Sequence, residues 1–133
     1  MNAVMITPES GDPGSLSIEE MGDFELFRGG RTGFPCQWRA RGMAPMKFTV
    51  TANAVFLVYN RNSTANMGSA DIYVNGEKLL TVSARDPNGW GDPFSQLLVK
   101  SKTVETYTVE IHPLDPETHI FDIYAIAYTC NEA

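Results

Sequence analysis

Ala70-Asp71-Ile72-Tyr73-Val74-Asn75-Gly76-Glu77-Lys78-Leu79-Leu80-Thr81-Val82 reads as a β-hairpin. Two runs with strand-forming residues flank Asn75-Gly76, and a two-residue turn of this kind needs positive φ at both positions, which Asn and Gly adopt at little cost. The turn sets the expected register: Val74 opposite Glu77 and Ile72 opposite Leu79, with Ile72 and Leu79 on one face.

The same period of two continues away from the hairpin. On the C-terminal side a strand is expected at 94–99. In 104–111, Tyr107, Val109 and Ile111 alternate with Thr106, Thr108 and Glu110, the pattern of a half-buried antiparallel strand. In 119–129, Phe121, Ile123, Ala125 and Ala127 alternate with Ile120, Asp122, Tyr124, Ile126 and Tyr128, and Pro113-Leu114-Asp115-Pro116-Glu117 links these last two strands. On the N-terminal side strands are expected at 24–27, 34–40, 46–51 and 54–59. The last of these is apolar on both faces and reads as a central strand between layers. Helical periodicity is absent apart from a short turn at Ser17-Ile18-Glu19-Glu20-Met21. About nine short strands punctuated by Gly, Pro and Asn imply an all-β fold, an antiparallel β-sandwich of the jelly-roll type. Residues 1–17, with Glu9, Asp12, Pro13 and Gly14, read as a solvated linker or chain start, and 18–133 as the sandwich module.

The chain has 133 residues, enough for one domain with one core. Its formal net charge is −6, from 10 Lys and Arg against 16 Asp and Glu. That balance argues against a nucleic-acid partner and against a polybasic membrane surface. The longest apolar run, Ala54-Val55-Phe56-Leu57-Val58-Tyr59, is too short to cross a bilayer. The first residues do not read as a signal peptide, so a secreted parent would carry its signal outside this chain. Cys36 and Cys130 have two readings: a bridge between the first and last parts of the fold, or two thiols behaving as small apolar side chains.

Catalytic constellations are hard to assemble from these residues. His112 and His119 are the only histidines, and no nucleophile elbow, zinc motif or phosphate loop accompanies them. Asp115-x-x-x-His119 reads as a turn and strand start rather than an acid–base pair. Asp86 with Asp92, and Asp115 with Glu117, have three readings: loop-shaping hydrogen bonds, ligands for Ca2+, or glycosidase carboxylates. No cofactor is otherwise expected.

Aromatic and arginine residues carry more information. Trp90 sits between Gly89 and Gly91 in a loop with Asn88 and Asp92, and Trp38 lies between Gln37 and Arg39. An aromatic ring beneath the C–H face of a pyranose, with planar polar groups reaching the hydroxyls, is the chemistry of sugar recognition. The candidate set is Trp90, Trp38 and Tyr59 for stacking, and Asn88, Asp92, Arg39 and Arg61 for orienting hydroxyls. Each tryptophan also has a packing alternative: Trp38 as a plug in the core, and Trp90 folded back over a sheet edge.

Several ordered motifs carry a family resemblance: Phe34-Pro35-Cys36-Gln37-Trp38; Phe56-Leu57-Val58-Tyr59-Asn60; Met67-Gly68-Ser69-Ala70-Asp71-Ile72-Tyr73-Val74-Asn75-Gly76; Asn88-Gly89-Trp90-Gly91-Asp92-Pro93; Tyr107-Thr108-Val109-Glu110-Ile111; and Ile126-Ala127-Tyr128-Thr129. Over residues 17–130 the chain resembles the β-sandwich accessory domain attached to SGNH/GDSL-type hydrolases of gut and rumen bacteria, many of them carbohydrate esterases. The resemblance implies a jelly-roll module within a secreted, extracellular multidomain parent, with the esterase chemistry in a separate α/β domain. Cys36-Gln37 stands where that family usually has Asn-Gly, and Tyr107 where it tends to have His.

The expected function is therefore a non-catalytic carbohydrate-binding module. It would target an appended hydrolase to plant cell-wall polysaccharide, with a polysaccharide or oligosaccharide as ligand and a catalytic domain as neighbour. The alternative is a structural accessory domain that packs on an SGNH-type esterase domain without binding sugar itself. A stand-alone hydrolase would need an acid, a base and a nucleophile that the sequence does not single out.

Overall fold

The computed structural model describes residues 3–10, 14–29 and 33–130. Among them are nine strands: β1 (Ala3–Ile6), β2 (Leu16–Glu20), β3 (Phe24–Phe27), β4 (Gln37–Ala40), β5 (Met46–Asn62), β6 (Ser69–Val74), β7 (Glu77–Ser83), β8 (Trp90–Leu114) and β9 (Asp122–Thr129). All pair antiparallel, in the order β3-β4-β9-β5-β8-β6-β7, with β1 beside β9 and β2 beside β5.

Two long strands turn this order into a sandwich. Met46 to Ala52 of β5 pairs with the second half of β8, which pairs with β6 and then β7. Ala54 to Tyr59 pairs instead with β9 on one side and with the first half of β8 on the other. The pairing slips between Ala52 and Ala54, where β5 advances two residues and β8 advances from Lys100 to Glu105. Such a bulge bends both strands and re-aims their side chains. Met46, Phe48, Val50 and Ala52 point inward before it, and Val55, Leu57 and Tyr59 after it. Together with Ile72, Val109, Ile111, Phe121, Ile123 and Ile126 they form one continuous core. The sequence expectation of separate strands at 46–51 and 54–59, and at 94–99 and 104–111, thus becomes two continuous bent strands.

The hairpin forms with Asn75 at φ 51° and Gly76 at φ 84°. Val74 faces Glu77 as expected, but Ile72 pairs with Leu80 rather than Leu79, because a bulge follows the Tyr73–Lys78 pair. Ile72 is therefore buried while Leu79 stands 47% exposed. Two further departures lie near the N-terminus. Ala3–Ile6, expected as linker, pairs with β9, and the expected turn at Ser17 to Met21 is largely strand β2, paired with β5. The parts of the expected linker at 1–2 and 11–13, and the module's last residues 131–133, lie outside the described residues.

Every residue of β9 is buried, including Asp122 at 0% exposure. Neighbours on both edges and cover on both faces explain why both of its alternating sets are buried. Phe34 supplies part of the outer cover, stacking on Tyr124 at 5.1 Å between ring centroids. Cys36 is buried, Cys130 is exposed, and both are free thiols. Burial pushes the Cys36 thiol pKa up, and the Glu9 carboxylate pushes it the same way.

Candidate functional site

Three connections meet at one end of the sandwich: 62–68, 84–89 and 115–120. Backbone hydrogen bonds lace them together. Asn62 N–H donates to Ala84 O (2.9 Å), Asp86 N–H to Asn62 O (2.9 Å), Ala84 N–H to Gly68 O (2.8 Å) and Gly68 N–H to Ile120 O (2.7 Å). A loop surface tied in this way spends little entropy on ordering when a ligand arrives.

The 84–89 connection leads into β8, whose first residue is Trp90, expected from the sequence in a loop. Within this connection Asp86 accepts a hydrogen bond from Asn88 N–H at its side chain (3.0 Å) and from Gly89 N–H at its carbonyl (2.8 Å), an Asx-type turn. Gly89 is buried against the end of β5, where a Cβ would lie 3.1 Å from Arg61 O and Asn62 Cα. That close approach suits glycine. Gly91 follows at φ 84°, and Asp92 accepts a hydrogen bond from Trp90 N–H (3.3 Å). The result is an indole that is 79% exposed, at the rim of a cleft of ≈ 480 Å³ lined by Asn62, Ser63, Pro87, Asn88, Gly89 and Trp90. That volume falls in the range of small-ligand sites.

Arg61 sits beside this loop at the end of a ring stack leading out of the core. Phe121 stacks on Tyr59 (5.6 Å), Tyr59 meets Phe94 edge-on (5.7 Å), and the Arg61 guanidinium carbon lies 4.1 Å above the Phe94 ring. Asp86 holds the guanidinium through Nη2 at 3.2 Å, and Arg61 faces Asp92 across the ladder. The geometry thus gathers Trp90, Asn88, Asp92 and Arg61 at one end of the molecule.

The other three candidates part company with them. Trp38 is 7% exposed and belongs to the core, as its packing alternative anticipated. Tyr59 is 2% exposed, and burial pushes its phenol pKa up. A ring enclosed by protein has no face to offer a sugar, so burial removes both from the stacking set. Arg39 is committed to the protein itself. It forms a bidentate pair with buried Asp122 (Nε to Oδ1 and Nη2 to Oδ2, both 2.8 Å) and lies 3.7 Å over the Phe27 ring. Gln37 Nε2 donates to the same carboxylate at 2.8 Å. This pair needs a tertiary contact between β4 and β9 that no local pattern announces.

Asn62, Ser63 and Pro87 were not singled out from the sequence, and Asp86 was read there only as a loop-shaping, calcium-binding or glycosidase carboxylate. The polar run Asn60-Arg61-Asn62-Ser63 at the end of an apolar strand was the available signal for the first two. Asp86 is occupied by Arg61 and Asn88, and Asp92 by the Trp90 amide, so both carboxylates shape the loop. Among the described residues no group of three or more His, Cys, Asp and Glu side chains is arranged to hold a metal ion. The Asp115-to-His119 spacing is a turn: the Asp115 carbonyl accepts from Thr118 N–H (3.2 Å) and His119 N–H (3.0 Å), with Asp115 at φ 49°. Among the described residues no helix is long and apolar enough to cross a membrane.

No family model matches the chain, and no curated protein matches it in sequence. Solved structures share its fold. A two-domain esterase active on acetylated mannans superposes with a TM-score of 0.72 at 12% identity, over 99% of this chain and 37% of that one. A family two carbohydrate esterase from Cellvibrio japonicus gives 0.66 at 11% identity, over 98% of this chain and 34% of that one. The CBM35 from Cellvibrio japonicus Abf62 gives 0.63 at 13% identity, over 98% of this chain and 95% of that one. The chain thus spans about a third of the length of these esterases and nearly the whole of a carbohydrate-binding module. The all-β sandwich and the fold-level resemblance read from the sequence are both met in these structures.

Proposed function

We propose that this chain is a non-catalytic carbohydrate-binding module of a secreted, multidomain carbohydrate-active enzyme, holding its catalytic neighbour at plant cell-wall polysaccharide. One observation carries the reading: a 79%-exposed indole at the start of β8, beside a braced turn, at the rim of a cleft edged by Asn62, Ser63 and Asn88. Burying so large an apolar ring would stabilise the protein, so leaving it in water costs stability that a ligand can recover. The pyranose C–H face meets the Trp90 ring, while Asn88 and Asp92 exchange hydrogen bonds with hydroxyls and Arg61 contributes from beside the loop. The shared fold with a carbohydrate-binding module over nearly its full length supports the same reading. Weak single-site binding suffices, because tethering raises the effective concentration of the enzyme at its substrate.

Affinity electrophoresis through gels containing β-glucan, xylan, mannan or pectin tests this. The wild-type chain is retarded on at least one polymer and Trp90→Ala is not. Equal mobility of both proteins on every gel removes the proposal.

A specific observation also favours the second reading, a face that packs on a neighbouring esterase domain. Met5, Ala127, Phe56 and Leu97 pair in one cross-strand row over β1, β9, β5 and β8, so all four side chains share a face. The row one residue along, Ile6, Ile126 and Leu57, is fully inside. The first row is therefore outward, with Met5 47% and Leu97 42% exposed. An apolar outer sheet face suits an interdomain contact, and the esterases sharing this fold are two-thirds other sequence. This row lies on a sheet face and Trp90 at the first residue of β8, beside the 84–89 connection, so the two roles are compatible. Absence of retardation on all polymers, together with greater solubility of Leu97→Glu, would leave packing as the function.

A further inference from the structure

The cleft below Trp90 has neighbours. A second cleft of ≈ 350 Å³ is lined further along the 62–68 connection, by Met67, Gly68, Ser83, Arg85 and His119 among others. A third, of ≈ 390 Å³, takes His119 as a shared wall and continues over Thr118 to Arg41. The first two are joined through the backbone, where Asn62 and Arg85 form a parallel bridge.

Two side chains in the second cleft are suited to a ligand. Arg28, Arg39, Arg41 and Arg61 each sit in an ion pair, whereas Arg85 makes none among the described residues. Its planar fork of donors is matched to a pair of neighbouring oxygens. His119 is fixed in place: its Nδ1 lies 2.8 Å from Thr118 Oγ1, and its Cβ sits so close to Gly68 that a Cβ there would approach to 2.9 Å.

Resting on the carbohydrate-binding role proposed above, we infer that the ligand is an internal stretch of a linear polysaccharide. It is stacked on Trp90 at one sugar and held at sugars further along by Arg85 and His119. The binding surface is then a trough across the loop end. Affinity grows with chain length, because each added sugar adds contacts without a second association cost.

The test is isothermal titration of the full chain with manno-, xylo- and cello-oligosaccharides from one to six units. Affinity rises by about tenfold or more between the disaccharide and the hexasaccharide of the preferred series. Arg85→Ala and His119→Ala each weaken the hexasaccharide by about threefold to tenfold while leaving the disaccharide unchanged, and Trp90→Ala weakens every length. Arg85→Gln and His119→Gln, with unaltered thermal midpoints, separate loss of contact from loss of fold. Trp90-dependent binding that is flat with length, or unaffected by the Arg85 and His119 variants, overturns the extended trough and leaves the binding module standing. If no series binds and the polymer gels show no retardation, the binding role and the trough fall together.

Discussion

The two tryptophans offer the sharpest test, because the structure assigns them opposite fates. Trp38 is 7% exposed and Trp90 79%. Truncating a buried Trp to Ala costs about 3–5 kcal/mol in lost burial and residual cavity. For a chain of 133 residues, about 2.1 cal/mol/K per residue gives an unfolding entropy near 280 cal/mol/K, so each kcal/mol moves the midpoint by about 3.5 °C. Trp38→Ala should therefore melt about 10–18 °C below wild type. Trp90→Ala removes a ring with little cover, costs no more than about 0.5 kcal/mol, and shifts the midpoint by about 2 °C at most. Binding should show the reverse emphasis. An aromatic anchor is worth about 2 kcal/mol or more, so Trp90→Ala weakens polysaccharide binding about thirtyfold, while folded Trp38→Ala protein keeps its affinity. Differential scanning calorimetry and affinity electrophoresis on the same preparations read both quantities. A large drop in midpoint for Trp90→Ala would make that ring a packing element and refute the reasoning.

Asp122→Ala leaves the Arg39 guanidinium and the Gln37 amide without their shared acceptor. It should cost about 3–5 kcal/mol by chemical denaturation, the cost of breaking a buried ion pair on one side. Asn75→Ala puts at φ 51° a residue that lacks asparagine's tolerance of the left-handed region and deletes the acceptor for Thr108 N–H at 3.0 Å, so about 1–3 kcal/mol of stability should be lost, with Asn75→Gly losing less. The Thr81 hydroxyl, then Lys78, hold the Asp71 carboxyl below its ordinary value. A depressed folded-state pKa stabilises above the unfolded value of about 3.9 and loses that advantage as pH falls through the folded one. The stability gap between wild type and Asp71→Asn should accordingly be full at about pH 6 and shrink below about pH 4. A thiol reagent should modify exposed Cys130 in the native protein and reach buried Cys36 only on unfolding, which thiol titration with and without denaturant measures.

Much of the fold was legible because strand alternation is a local property. The Asn75-Gly76 hairpin, the alternation from Thr106 to Ile111 and the doubly apolar run from Ala54 to Tyr59 each declare themselves within a few residues. The bulges do not. The slip between Ala52 and Ala54 joins two inward-facing sets that differ in phase, so a reading by period splits one strand in two. Ala3–Ile6 was read as linker for the Pro, Gly and acidic residues that follow it, and Leu16–Glu20 largely as a turn because it carries Ser17, Glu19 and Glu20. At the site, the exposure of Trp90 was legible because flanking glycines offer its ring little to pack on, although the residue opens strand β8 rather than lying in a loop. Trp38 and Arg39 were not, since adjacent strand residues point to opposite faces and the local sequence leaves open which face is covered.

The chain's own order of residues determined that it is built from antiparallel strands, where its tightest turn lies, and that an aromatic ring stands between two glycines. Those follow from backbone preferences and side-chain period, which act over a handful of neighbours. Tertiary structure decided which rings are enclosed and which meet water. It also set Asp122 of β9 against Arg39 of β4, residues 83 apart in the chain, and brought the 62–68, 84–89 and 115–120 connections together at one end. Burial and charge pairing depend on what lies across the layer, and only the folded chain brings those partners within reach.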